Sequence, residues 1–163
     1  MLKNILRLFL ILFLFQACQK AEVEHFDPPT TFLFEVSSHR HNELEQALFD
    51  LINSHRESQG LQELIFDSTT YYFAGEHNRY MIAEGALSHA QFPERANQVA
   101  KRTGAVEVAE NVSKDHTTIE KAFNSWAQSP GHRDNMLGDF THSAVKITPN
   151  VNGDLYFTQL FFK

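Results

Sequence analysis

FNSWAQSPGHRDNML, residues 123–137, is the stretch on which the reading of the fold turns. Phe123 and Trp126 stand three residues apart, as core anchors on a helix do, and Ser129-Pro130-Gly131 is a composition that stops a helix. His132 and Arg133 follow at once in a second short helical turn that carries Met136 and Leu137. Proline and glycine impose an abrupt change of direction, so the backbone, and not a loose loop, aims His132. By composition alone the same stretch also fits a surface corner with a solvated histidine.

Upstream, Thr117-Thr118-Ile119-Glu120 reads as a capping box in which the Thr117 hydroxyl meets the Glu120 amide, with Ile119, Phe123 and Trp126 as the buried stripe. Residues 106–112 alternate as a strand does and carry Glu110 and Asn111. Pro93 and Glu94 suit the first turn of a helix that ends before Gly104. Near the front, Asn42 can cap a helix over residues 43–59, with Leu44, Leu48, Leu51, Ile52 and His55 on one face and Gly60 ending it. Arg56 reads as helix surface or as a buried cap contact. Ser68 is expected to cap a second helix to about residue 84, with Phe73, Ala74, His77, Tyr80 and Met81 inward. Ser88-His89 follows in a loop, and His77 reads as a hydrogen-bonded histidine at the edge of the core. Downstream, a strand at residues 144–148, a turn through Asn152-Gly153 and a strand at residues 155–162 make a hairpin. Helices at the front and in the middle, with antiparallel strands late, imply a layered α/β sandwich.

Several of these stretches, in this order, resemble one family. W-x-x-SPGHR-x-N-x-L is similar to the signature of bacterial members of the CAP superfamily, the cysteine-rich secretory, antigen 5 and pathogenesis-related 1 proteins. LINSHRESQGLQELIFD (51–67) resembles its opening helix and the aromatic-Asp pair that follows. Ala74, Met81 and LSHAQF (87–92) resemble the second helix and its SH motif, AENVS (109–113) the GENI/V motif, and FTHSAV (140–145) with LYFTQLF (155–161) the closing strands. The resemblance covers about residues 43–162. It implies a three-layer α–β–α sandwich, class α/β (α+β), with a mainly antiparallel central sheet, and a cleft that gathers histidines and glutamates from separate segments. The positions that match are His89, Glu110 and His132 as the catalytic or ligand-binding set, and His142 as a further ligand-binding residue. Departures stand beside these matches: against the plant and animal pattern the second cleft glutamate falls on Ser129, the second cleft histidine on Asp139, and the glycine of GEN on Ala109.

Neutral imidazoles and a carboxylate are ligands for first-row metals, and a histidine beside a glutamate is a proton-transfer pair. His89 and His132 are accordingly the metal ligands to test, with Zn²⁺ as the ion. Glu110 also fits a purely structural role, accepting backbone amides at the end of its strand, and His142 fits a strand edge. HExxH, GxSxG, a P-loop and any cysteine after Cys18 are absent. Two functions follow. One is a binding module for a lipid, cell-wall or protein ligand. The alternative is a metal-assisted hydrolase of peptidase or esterase type in the same cleft.

The length of 163 residues, 42% hydrophobic with 15 Phe, suits one domain with one core. The leader is different. Lys3 and Arg7 precede an apolar run at residues 8–15 that ends at FQAC, the layout of a secretory signal over residues 1–17, and the run is too short to span a bilayer. FQAC resembles a lipobox, which implies cleavage before Cys18, acylation there (palmitate among the chains) and the membrane as a partner. Residues 18–42 then form an acylated tether and residues 43–163 the CAP domain. With Cys18 acylated no cysteine remains to pair, so the domain must stand without disulfides. Losing Lys3 and Arg7 leaves 12 basic against 20 acidic residues, a formal charge of −8 that argues against nucleic acid. The expected location is the bacterial cell envelope, exported and lipid-anchored at the outer membrane or cell surface, and Lys20-Ala21-Glu22 resembles a surface-sorting signal.

Overall fold

LYFTQLFF, residues 155–162, is apolar on both faces, and a strand of that kind belongs inside a sheet that is covered on both sides. The computed structural model, which describes residues 39–163, places it there. The expectations for the leader, Cys18 and the tether up to residue 38 lie outside the described residues. The elements in order are α1 (Glu43–Ser58), β1 (Ile65–Phe66), α2 (Ser68–Glu84), α3 (Phe92–Thr103), β2 (Val108–Lys114), α4 (Ile119–Gln128), α5 (Pro130–Met136), β3 (His142–Pro149) and β4 (Leu155–Phe162). The sheet runs β1-β3-β4-β2. β4 is antiparallel to both neighbours, and the two-residue β1 lies parallel to β3.

Side chains alternate across the sheet, so Phe157, Gln159 and Phe161 point to one face and Tyr156, Thr158, Leu160 and Phe162 to the other. The first face packs under α1, α4 and α5, with Leu48, Ile52, Trp126, Met136, Val145, Phe157 and Phe161 in one buried cluster. The second packs under α2 and α3, where Ala74 and Val99 meet Leu160 and Phe162, and Met81 meets Val112 and Tyr156. That is the expected α–β–α sandwich with a mainly antiparallel sheet.

Local chemistry sets most boundaries. Asn42 forms a reciprocal capping box with Glu45, each side chain taking the other's backbone N–H at 2.9 Å. Two expected caps move by one residue. Asp67, not Ser68, accepts the Thr70 amide at 2.7 Å, and Thr118, not Thr117, accepts the Lys121 amide at 3.3 Å. β2 starts at Val108 and runs to Lys114, two residues later than its alternation suggests, because pairing with Phe162 through Tyr156 of β4 defines it. Leu44, expected inward, is exposed.

Side chains take up part of the backbone along both sheet edges, which leaves fewer groups to invite another strand. On β2, Trp126 Nε1 donates to the Val112 carbonyl (3.3 Å) and Asn135 Nδ2 to the Glu110 carbonyl (3.2 Å). On β3, beyond the short β1, the Val145 amide donates to His41 Nε2 (3.0 Å) and the Ile147 amide to Glu45 Oε1 (3.1 Å). Arg56 is the buried cap contact of the two readings above. Its guanidinium donates to the carbonyls of Gln62, Met136, Gly138 and Phe140, which fixes the end of α5 and the loop after it. Gly138 in that loop has no room for a side chain, since a Cβ would stand 2.7 Å from the Phe140 ring.

Candidate binding cleft

β2 is an edge strand whose residues alternate between the two helical layers. Glu110 lies opposite Leu160 and so faces α2 and α3, while Asn111 lies opposite Gln159 and faces α5. The Glu110 carboxylate is buried and held by three side chains. Arg95, on the first turn of α3, grips it with both prongs, Nε to Oε2 at 2.7 Å and Nη2 to Oε1 at 2.9 Å. His89 Nδ1 stands 2.9 Å from Oε1. His77 Nε2, on α2, is 3.7 Å from the same oxygen and 2.8 Å from the Ser88 carbonyl. Arg95 also donates Nη1 to the Ala90 carbonyl at 3.1 Å, so one guanidinium ties the loop carrying His89 to the strand carrying Glu110.

These contacts settle proton positions. A two-pronged guanidinium contact is made by an ionised carboxylate, so His89 Nδ1 is a donor and Nε2 the ring's other, outer nitrogen. The His89 side chain is 53% exposed while that of Glu110 is 1% exposed, so the pair presents an imidazole oriented from behind by a buried anion. Nε2 of His77 faces two oxygen acceptors and therefore carries the hydrogen. Burial pushes His77 below the ordinary imidazole value, against the opposing pull of Glu110, and its Nδ1 has no partner.

His132 approaches from the other layer. Asn111 Nδ2 donates to its backbone carbonyl at 3.0 Å, Asn135 Nδ2 donates to Asn111 Oδ1 at 2.9 Å, and the ring packs against Trp126 with centroids 6.5 Å apart. Burial lowers the His132 pKa first, and the neighbouring His89 lowers it further. His89 and Glu110 are therefore in direct contact, and His132 lies within electrostatic reach of His89. His142 is elsewhere. Its ring stacks flat on Phe162 (4.8 Å, 5°) and its Nδ1 bonds Thr141 Oγ1 at 2.8 Å, so it does not line the cleft. The cleft itself, about 420 Å³, wraps the start of β2, between the beginning of α3 and the loop after α5. His89, Phe92, Glu110, Asp134, Asn135 and Phe140 are among its walls, and Asp139, at the second-histidine position of plant and animal relatives, stands on its rim.

The donor set is a poor fit to Zn²⁺. Among the described residues no group of three or more His, Cys, Asp or Glu could hold a metal ion. Both Glu110 oxygens are engaged by Arg95 and His89, leaving at most two imidazoles where a catalytic zinc takes three protein ligands. Arg95 is the residue that sequence reasoning missed. A signal was present: a cation on the first turn of a helix opposes the helix dipole, and such a residue implies a nearby anion that holds it there.

Comparison with known proteins agrees with this geometry on what the molecule is. Residues 49–161 match the model of the cysteine-rich secretory protein (CAP) family, and the chain belongs to that family. It is 31% identical over 106 residues to the uncharacterized protein YkwD of Bacillus subtilis, a match covering 62% of this chain and 41% of that one; the chain thus spans well under half of its relative. Among solved structures it superposes on an outer surface protein from Borrelia burgdorferi with a TM-score of 0.67 at 20% identity, over 77% of this chain and 97% of that one. It also superposes on an extracellular SCP-domain protein from Bacillus anthracis with a TM-score of 0.65 at 27% identity, over 73% of this chain and 40% of that one.

Proposed function

We propose that this chain is an exported, lipid-anchored CAP-domain protein of the bacterial cell envelope, whose cleft at His89 and Glu110 binds a lipid, cell-wall or protein ligand. The observation that carries the reading is the capture of Glu110 by Arg95. A carboxylate locked to a guanidinium orients His89 and stiffens the wall of an open cavity, but it is not free to act as a base or a metal ligand. The same capture works against a metal-assisted hydrolase built on His89, His132 and Glu110. Export is supported by the leader pattern ahead of Cys18 and by similarity to proteins described as outer surface or extracellular.

Thermal unfolding of the full chain in an uncharged detergent, with lipids and cell-wall fragments in excess, tests binding. A ligand should raise stability by about 1–4 kcal/mol, and His89→Ala should change that gain. If no ligand class shifts the transition, the binding reading fails. Cys18→Ser should release the protein from the membrane fraction; retention would mean that the apolar run is itself the anchor.

A further inference from the structure

His89 and Glu110 line the cleft, whereas Arg95 and His77, which meet that carboxylate from α3 and α2, line a second cavity of about 310 Å³. Phe73 and Tyr80 of α2 give this cavity aromatic walls, and Gln91 and Glu94 at the start of α3 stand across from them. A guanidinium carries five N–H donors. Arg95, 8% exposed, directs Nε and Nη2 to Glu110 and one Nη1 hydrogen to the Ala90 carbonyl at 3.1 Å, so a second Nη1 hydrogen is unspent. His77, 2% exposed in the same wall, has Nδ1 without a partner. Gln91 holds a left-handed backbone, φ 60°, that residues other than glycine adopt at a cost, and its side chain makes no cap bond to α3. Its amide therefore faces the cavity with both a donor and an acceptor free. Charge at the site is already matched: Arg95 by Glu110 and Arg79 by Glu76, with Glu94 as a further carboxylate.

We propose that this cavity is a second binding site, separate from the His89 cleft, for an N-acetylated amino sugar. The acetamido carbonyl accepts the spare Nη1 hydrogen of Arg95, the acetamido N–H donates to Gln91 Oε1, and the apolar face of the pyranose lies on Phe73 and Tyr80. Aromatic walls with a few polar groups that fix orientation are the usual make-up of a small-molecule site, and the volume suits a single ring. The buried donor calls for an acceptor, and the matched charges call for a neutral one, because an anion would meet Glu76 and Glu94 with no free cation to offset them. An amide without a ring would leave the aromatic walls uncovered. The site goes beyond the cleft reading and does not depend on it, although the Arg95–Glu110 pair forms part of both walls.

The test uses the full chain in an uncharged detergent that contains no sugar, with four probes followed by amide chemical shifts and calorimetry: N-acetylglucosamine, glucose, glucuronate and N-methylacetamide. N-acetylglucosamine should move the amides of Phe73, His77, Gln91 and Arg95 saturably. Glucose and N-methylacetamide should each bind at least about tenfold more weakly, the discrimination that one hydrogen bond to a charged donor supplies, and glucuronate should be silent there. Gln91→Gly keeps the left-handed backbone and removes the amide, so it should weaken the acetylated sugar by about two- to tenfold while the chain stays folded. Glu57→Gln, on the exposed face of α1, should leave binding unchanged. Glucose or glucuronate binding as tightly as N-acetylglucosamine would overturn recognition of the acetamido group, and N-methylacetamide doing so would overturn the sugar. Indifference to Gln91→Gly, or no saturable shift at these amides, would overturn the site. Shifts at His89 and Asp134 in their place would also overturn it, while leaving the cleft as the binding site.

Discussion

Arg95→Ala is the perturbation that bears most directly on the cleft. Glu110 is 5% exposed and Arg95 8% exposed, so the pair is desolvated and its charges are balanced mainly by each other. Removing the guanidinium deletes two bonds to the carboxylate and one to the Ala90 carbonyl, leaving a buried anion with His89 and His77 as its remaining neighbours. Breaking one side of a buried pair costs about 3–5 kcal/mol, because the surviving charge keeps its desolvation penalty. For a domain of this size that corresponds to a fall in Tm of about 10–20 °C. Chemical denaturation followed through Trp126, the chain's only tryptophan, reads the change directly. The double variant Arg95→Met/Glu110→Gln should recover about 2 kcal/mol of the loss, since it removes the stranded charge along with its partner. A loss under about 1 kcal/mol, or a double variant with additive losses, would refute the reasoning and mean that solvent already screens Glu110.

Three further outcomes are expected. Trp126→Ala should cost about 3–5 kcal/mol by opening a cavity under β4 and stranding the Val112 carbonyl, measurable as a lower urea midpoint with an unchanged slope once a fluorescence reporter other than Trp126 is used. Arg56→Ala should cost about 3–5 kcal/mol and speed hydrogen exchange around residues 136–140, because four backbone carbonyls lose one buried donor; normal protection there would show that the loop holds itself. Stability should fall with pH below about 6.5, because burial pushes His41, His77 and His132 under that ordinary imidazole value, so the unfolded chain binds protons that the folded one does not. The stabilisation is therefore present above the unfolded value and lost as pH drops. His41→Gln should flatten that slope, since the Val145 amide needs the neutral Nε2, and an unchanged slope would remove His41 from the account.

The elements of this domain were legible locally. Periodicity of 3.6 in α1, the Asn152-Gly153 turn ahead of β4, the Asn42 cap and the Pro130-Gly131 corner each act within a few residues, so one stretch of chain suffices to read them. The errors were of the same scale: Asp67 and Thr118 displaced their neighbours as caps, and β2 slid two residues to meet β4. Placing His89 beside Glu110 came from resemblance, since nothing in their own spacing of 21 residues demands contact. Only the tertiary structure decided that Arg95 takes the Glu110 carboxylate, that His77 backs it, that His142 lies against Phe162 outside the cleft, and that His41 and Glu45 close the edge of β3. The physical reason is that a strand's hydrophobic pattern says which face is inside, but a buried charge is satisfied by whichever element packs across that face, and that choice is made when the layers close.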